Sequence, residues 1–138
     1  MLIDLDNNRL RITNARGINV IDIAPAVLDE IREHIRIRVQ EWIRQRGTTP
    51  FQFYNLFGGV EHGDWSGTPM MALYEKYENR YRGRYENILE LEDKAMGLAS
   101  NDGGRLLKRA LLEWSDISFG FQHGRNSTYR FVGHTTDV

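Results

Sequence analysis

Acidic, basic and aromatic side chains are concentrated in one glycine-rich segment of the chain, FGGVEHGDWSGTP at residues 57–69. Histidine exchanges protons near neutral pH, and a neighbouring carboxylate orients the imidazole and favours its charged form. Glu61, His62 and Asp64 are therefore candidates for general acid–base catalysis. His123, from a turn predicted near the C-terminus, is a fourth candidate. A solvated loop without chemistry has the same composition.

Aromatic side chains near this segment could form the wall of a pocket. The candidate ligand-binding residues are Trp65, Tyr54, Tyr74 and Tyr77. One interpretation is therefore a small-molecule binding protein or hydrolase with a pocket at the glycine-rich loop 57–69. In this interpretation the pocket contains His62, Asp64 and His123.

Imidazole and carboxylate groups also bind zinc and iron. His62, His123, His134 and Asp64 could supply such ligands, but the Glu-His-x-Asp spacing matches no metal signature. We therefore expect neither a metal nor a cofactor. The predicted helix start at Thr68–Pro69 could hold a phosphate through its free N–H groups. The loop carries two acids and no cation, which disfavours phosphate there.

Tyrosines alternate with arginines over residues 74–85, a pattern that resembles a nucleic-acid surface. The tyrosines have helical spacing and share a stripe with apolar residues, which favours a core or a subunit contact. Nearby glutamates also neutralise the arginines. These observations disfavour nucleic acid as a partner.

Length and composition indicate one cytoplasmic domain over residues 1–138. The 18 basic and 19 acidic residues nearly cancel, so no global field favours nucleic acid or anionic lipid. No apolar run approaches the length of a membrane span, and the first ten residues do not resemble a secretory signal. The absence of cysteine excludes disulfides and thiol chemistry.

The apolar patterns predict an α+β fold, in which an antiparallel sheet from N-terminal and C-terminal hairpins covers three to four helices. The first hairpin uses residues 2–5 and 9–13, with a third strand at 18–23, and the second uses residues 117–121 and 127–132. The longest helix is predicted over about residues 25–46. The SNDGG sequence at residues 100–104 predicts a turn between two helices.

Three tryptophans, six tyrosines and six phenylalanines are more than a small core needs, and tyrosine and tryptophan are enriched at protein contacts. The favoured prediction is therefore a non-enzymatic protein that acts by self-association, as a homo-oligomer, or by binding a protein partner. The pocket at residues 57–69 is the alternative.

Overall fold

The computed structural model describes residues 1–58 and 64–135, and within these ranges the chain forms a four-stranded sheet and four helices. This confirms the α+β class. The strands are β1 Leu2–Asp4, β2 Arg11–Ile12, β3 Ile117–Gln122 and β4 Thr128–His134. The helices are α1 Pro25–Arg46, α2 Phe53–Phe57, α3 Met71–Tyr81 and α4 Ile88–Glu113.

The sheet has the strand order β2-β1-β3-β4 and is mixed. Both terminal hairpins are antiparallel, as predicted. The two central strands, however, run parallel, with Leu2 opposite Phe119. The prediction of an antiparallel sheet is therefore wrong at this pairing. The helices lie between β1 and β3 in the chain, and a crossover of that length can return the second strand in the same direction as the first.

Helix α1 confirms the prediction for residues 25–46. Its buried side chains, Leu28, Ile31, Ile35 and Val39, recur every three or four residues and enter the core. Pro25 suits the first helical turn, where its missing N–H costs nothing. Gly47 ends the helix with φ +57°, and its N–H donates to the Ile43 carbonyl over 2.8 Å.

Helix α4, with 26 residues, is longer than α1, with 22, so the prediction that residues 25–46 form the longest helix is wrong. The predicted turn at residues 100–104 lies inside α4. Its two adjacent glycines each cost about 1 kcal/mol relative to alanine in a helix. Tertiary contacts offset that cost, because Asp102 binds Lys76 and Tyr77 while Phe53 packs against Gly103.

Helix α3 begins at Met71, after the start predicted at Thr68–Pro69. The Thr68 hydroxyl donates to the Trp65 carbonyl over 2.8 Å, so it closes a turn and does not cap the helix. The helix ends at Tyr81, and Gly83 follows with φ +84°. The tyrosine pattern therefore does not form one helix from residue 70 to residue 85.

Residues 13–24 cross the surface without forming the predicted third strand. Basic side chains of α3 and α4 bind this segment at three points. Arg109 donates to the Ala15 carbonyl, and Lys76 donates to the Asn19 carbonyl over 2.8 Å. Arg80 binds the Asp22 carboxylate at 3.1 Å. Arg109 and Lys76 thus satisfy two backbone carbonyls that have no partner strand, while Arg80 adds an ion pair.

The core lies between the sheet and the helices and contains two of the three tryptophans, Trp65 and Trp114. Its largest fully buried side chains also include Phe51, Phe119, Met70 and Leu107. None of the helices in the described ranges is long and apolar enough to span a membrane.

Candidate functional site

Two cavities share lining residues on α2 and directly after it. The first, of about 470 Å³, we call the loop cavity; its walls include His34, Arg38, Asp64, Trp65 and Thr68. The second, of about 630 Å³, we call the basic cleft; α2, α4 and the β3–β4 turn form its walls, together with Arg16 from the segment before α1. Tyr54 and Gly58 line both cavities, which are therefore adjacent.

Among the residues that the structure describes, four cationic side chains and no acidic one line the basic cleft. The cations are Arg16, Arg105, Lys108 and Arg125. Among the described residues, no carboxylate forms an ion pair with any of these four. The remaining polar lining consists of neutral amides and hydroxyls from Gln52, Ser100, Asn101, Asn126 and Ser127. The cleft therefore has the charge and hydrogen-bonding groups of an anion site.

One face of α4 forms the floor of this cleft. The residues of this face are paired at four-residue separations, which places them on the same side of a helix: Ser100 with Gly104, Asn101 with Arg105, and Gly104 with Lys108. Ser100, Asn101 and Gly104 are small, and a Cβ added at Gly104 would meet nothing within 4 Å. The open space is thus a direct result of the SNDGG sequence. Arg105 and Lys108 follow on the next turns.

The wall formed by α2 is attached to the sheet by a short β-bridge. Phe51 donates to the Tyr129 carbonyl over 2.7 Å, and Tyr129 donates in return over 2.8 Å. Beside the bridge, the Gln52 side-chain amide donates to the Thr128 hydroxyl over 3.1 Å. Burial raises the pKa of Tyr129 to about 12, so its phenol remains protonated at neutral pH. These contacts fix the separation between α2 and β4 across the cleft.

The β3–β4 turn, which carries Arg125, is held by two acids from the N-terminal hairpin. The His123 ring Nε2 lies 2.7 Å from Asp4 Oδ2, and the His123 backbone N–H donates to Asp6 Oδ2 over 2.6 Å. The hydrogen bond from His123 lowers the pKa of Asp4. These three side chains also place potential metal ligands within 4.8 Å of one another. The hydrogen bonds account for this grouping without a metal ion.

The loop cavity combines a buried indole with a partly buried imidazole. Trp65 is buried against Phe53 in an edge-to-face contact with ring centroids 6.1 Å apart. Within the described residues, its Nε1–H is sealed from solvent and has no hydrogen-bond acceptor. Burial and, secondarily, the nearby Arg38 guanidinium lower the pKa of His34, which keeps its imidazole neutral at neutral pH.

Gly58 and Asp64 approach closely in the loop cavity. Gly58 has φ +59°, and a Cβ added there would lie 2.1 Å from Asp64 Oδ2. Any side chain at position 58 would therefore be strained by the backbone angle and would displace the carboxylate.

The structure brings together part of the predicted site. Tyr54, Asp64 and Trp65 line one cavity, the loop cavity. Glu61 and His62 lie outside the described residues. His123 lines neither cavity and instead contacts Asp4 and Asp6.

The other two predicted ligand-binding residues, Tyr74 and Tyr77, are buried in the core and do not belong to the lining of either cavity. The Tyr77 hydroxyl donates to Asp102 Oδ2 over 2.6 Å. Burial is the main reason that the pKa of each phenol is raised to about 12. Both rings therefore have structural roles in this fold.

Sequence reasoning missed the basic cleft, because its four cations come from three distant parts of the chain. Arg16 precedes α1, Arg105 and Lys108 belong to α4, and Arg125 lies in the last turn. The only local signal was the group of small residues at 100–104, followed at once by Arg105 and Lys108. Because residues 100–104 were predicted to form a turn, they gave no indication of a cavity.

Comparison of the chain with protein-family models, curated proteins and solved structures found no match. The geometry of the two cavities is therefore the basis for the functional proposal.

Proposed function

We propose that this protein binds a small anionic molecule in the basic cleft. The observation that carries the proposal is the sign of the charge on the cleft lining, which is positive at all four charged positions in the described part of the chain. The chain as a whole has slightly more acids than bases, so composition alone does not explain this segregation. A cleft lined by charges of one sign concentrates the field and attracts ions of the opposite sign.

The cations are also available to a ligand. Arg105 and Lys108 are partly exposed, Arg16 and Arg125 are exposed, and no described carboxylate neutralises them. Lys108 does contact the face of Phe121, with Nζ 4.6 Å from the ring centroid, which orients its ammonium without cancelling its charge. An anion in the cleft would reduce the repulsion among these four groups.

The size of the cleft suits a small molecule. Its volume of about 630 Å³ falls within the range of about 300–1,000 Å³ that is typical of ligand sites. The glycine at position 104 supports the same conclusion, since it weakens the helix and leaves open space. Residues whose local preference opposes the secondary structure around them, such as a glycine inside a helix, are expected at functional sites.

The experiment is calorimetric titration of the purified protein with pyrophosphate and with citrate, at low and at high ionic strength. Replacing both Arg105 and Lys108 by glutamine should weaken binding at least about tenfold, because hydrogen bonds to charged groups contribute about 1.5–3 kcal/mol each. Arg44→Gln is the matched control, since it removes an exposed cation outside the cleft. Equal affinities for the double variant and the control would contradict the proposal.

Self-association or a protein partner, predicted from the aromatic content, stays a prediction. Among the described residues, Tyr54 is the only aromatic in the set of large exposed hydrophobic side chains, while Trp65 and Trp114 are buried. Hydrolysis at the glycine-rich loop also stays a prediction.

A further inference from the structure

We propose that the anion bound in the basic cleft is a nucleoside phosphate, with its phosphoryl groups at the cations and its base against the ring of Tyr54. This inference rests on the proposed function, and it adds the chemical class of the ligand. It depends on three features of the cleft, which are the number of cations, the neutral polar lining and the exposed aromatic ring.

The number of cations favours phosphate over a single carboxylate. Three of the four are arginines, whose planar guanidinium groups present paired donors that match phosphate oxygens. One carboxylate has two oxygens and one charge, which is too little to engage four separate cations. A diphosphate has both the charge and the oxygen atoms to do so.

The rest of the lining requires a larger ligand than inorganic phosphate. Ser100 and Asn101 lie about two turns before Lys108 on α4, which is about 12 Å along the helix axis. These neutral groups, with Gln52, can donate to and accept from hydroxyls and ring nitrogens. A ligand that contacts both ends of this face must carry an uncharged polar body as well as a charged group.

Tyr54 supplies a surface for a planar ring. Its side chain is large, lines the cleft and is 60% exposed, although most aromatic rings of this protein are buried or half-buried. Bases stack on such rings with little dependence on base identity, and loss of the ring reduces affinity by about tenfold. A sugar phosphate would gain much less from this contact.

The test is titration of the protein with ADP, ribose 5-phosphate and adenosine, without divalent cations and at low ionic strength. We expect ADP to bind about tenfold more tightly than ribose 5-phosphate, and adenosine to bind more weakly than either. Tyr54→Ala should lower the affinity for ADP about tenfold and leave that for ribose 5-phosphate unchanged. Tyr54→Phe, which keeps the ring, should retain the affinity for ADP.

The outcomes separate the two proposals. If ribose 5-phosphate and pyrophosphate bind as tightly as ADP, and Tyr54→Ala changes none of the affinities, the nucleoside inference is overturned while anion binding stands. If none of these phosphates and no citrate binds, both proposals fail. Circular dichroism of each Tyr54 variant provides the folding control, and we expect wild-type spectra because the side chain is exposed.

Discussion

The Lys76 ammonium lies 2.8 Å from Asp102 Oδ2, and the two side chains are almost completely buried. The Tyr77 hydroxyl donates to the same carboxylate oxygen, and the Lys76 ammonium also donates to the Asn19 carbonyl. An ion pair in a low-dielectric interior is tolerated when its remaining donors and acceptors are satisfied. The pair joins α3 to α4 at the segment where the sequence alone predicted a turn.

Removal of the carboxylate should destabilise the protein strongly. Asp102→Ala would leave the Lys76 ammonium buried without its counter-charge, and we expect the free energy of unfolding to fall by about 3–5 kcal/mol. Tyr77→Phe removes only one hydrogen bond to a charged group and should cost about 1–3 kcal/mol. Urea denaturation followed by circular dichroism measures both. A loss below 1 kcal/mol for Asp102→Ala would show that the buried pair does not hold the two helices together.

Replacement of the α4 glycines by alanine should raise the stability of the protein at some positions and lower it at another. At Gly97 and Gly104 an added Cβ meets nothing within 4 Å, so each substitution should stabilise the helix by about 1 kcal/mol. At Gly103 the added Cβ would lie 2.5 Å from Cζ of Phe53, and Gly103→Ala should therefore destabilise the protein. Thermal unfolding of the three variants provides the comparison. Stabilisation by Gly103→Ala would contradict the close packing of α2 on α4.

Charge introduced at the floor of the cleft should abolish anion binding. Gly104→Glu places a carboxylate among the four cations, whereas Gly104→Gln adds a side chain of similar size without charge. We expect the glutamate variant to lose pyrophosphate binding and the glutamine variant to retain part of it. Gly97→Glu is the matched control, on the same helix and outside the cleft lining. Calorimetric titration measures all three. Loss of binding in the Gly97 variant as well would indicate an effect of net charge and not of the cleft.

Stability should decrease at alkaline pH through the buried tyrosines. The pKa values of Tyr74, Tyr77 and Tyr129 are raised from 10 to about 12, chiefly by burial. Because the folded state disfavours their ionisation, the associated stability is fully present below pH 10 and is lost as pH rises toward 12. Denaturant midpoints across this range should therefore fall. Absorbance titration of tyrosinate provides an independent measurement, and Tyr129→Phe should remove one transition near 12. Loss of a transition near pH 10 instead would show that the pKa of Tyr129 is not raised.

The sequence predicted the helices and strands that show a clear apolar periodicity within their own residues. The stripe from Leu28 to Val39 identified α1, and the alternation after Ile117 identified the second hairpin. The pairing of β1 with β3 could not be predicted in the same way, because it joins residues more than 100 positions apart. The helical state of Asp102 likewise depends on Lys76, which lies 26 positions away.

The candidate site likewise has one part whose residues are close in sequence and another part that only the tertiary structure assembles. Tyr54, Asp64 and Trp65 lie within twelve residues of one another, so the sequence could identify them as neighbours, and the structure places them around one cavity. The basic cleft combines Arg16 with Arg125, and only tertiary structure brings such distant cations together. To predict the cleft from the sequence, one would have had to expect a regular helix through the glycine-containing segment at residues 100–104.

The segment from residue 13 to residue 24 owes its course to Arg109, Lys76 and Arg80, and these side chains belong to other elements. Arg16 directly follows Ala15, whose carbonyl is one of the anchor points. The placement of Arg16 beside the cleft therefore depends on contacts that side chains of α3 and α4 make with its segment. A side chain that is not part of the cleft lining, Arg109, thus helps to set where one of the cleft cations lies.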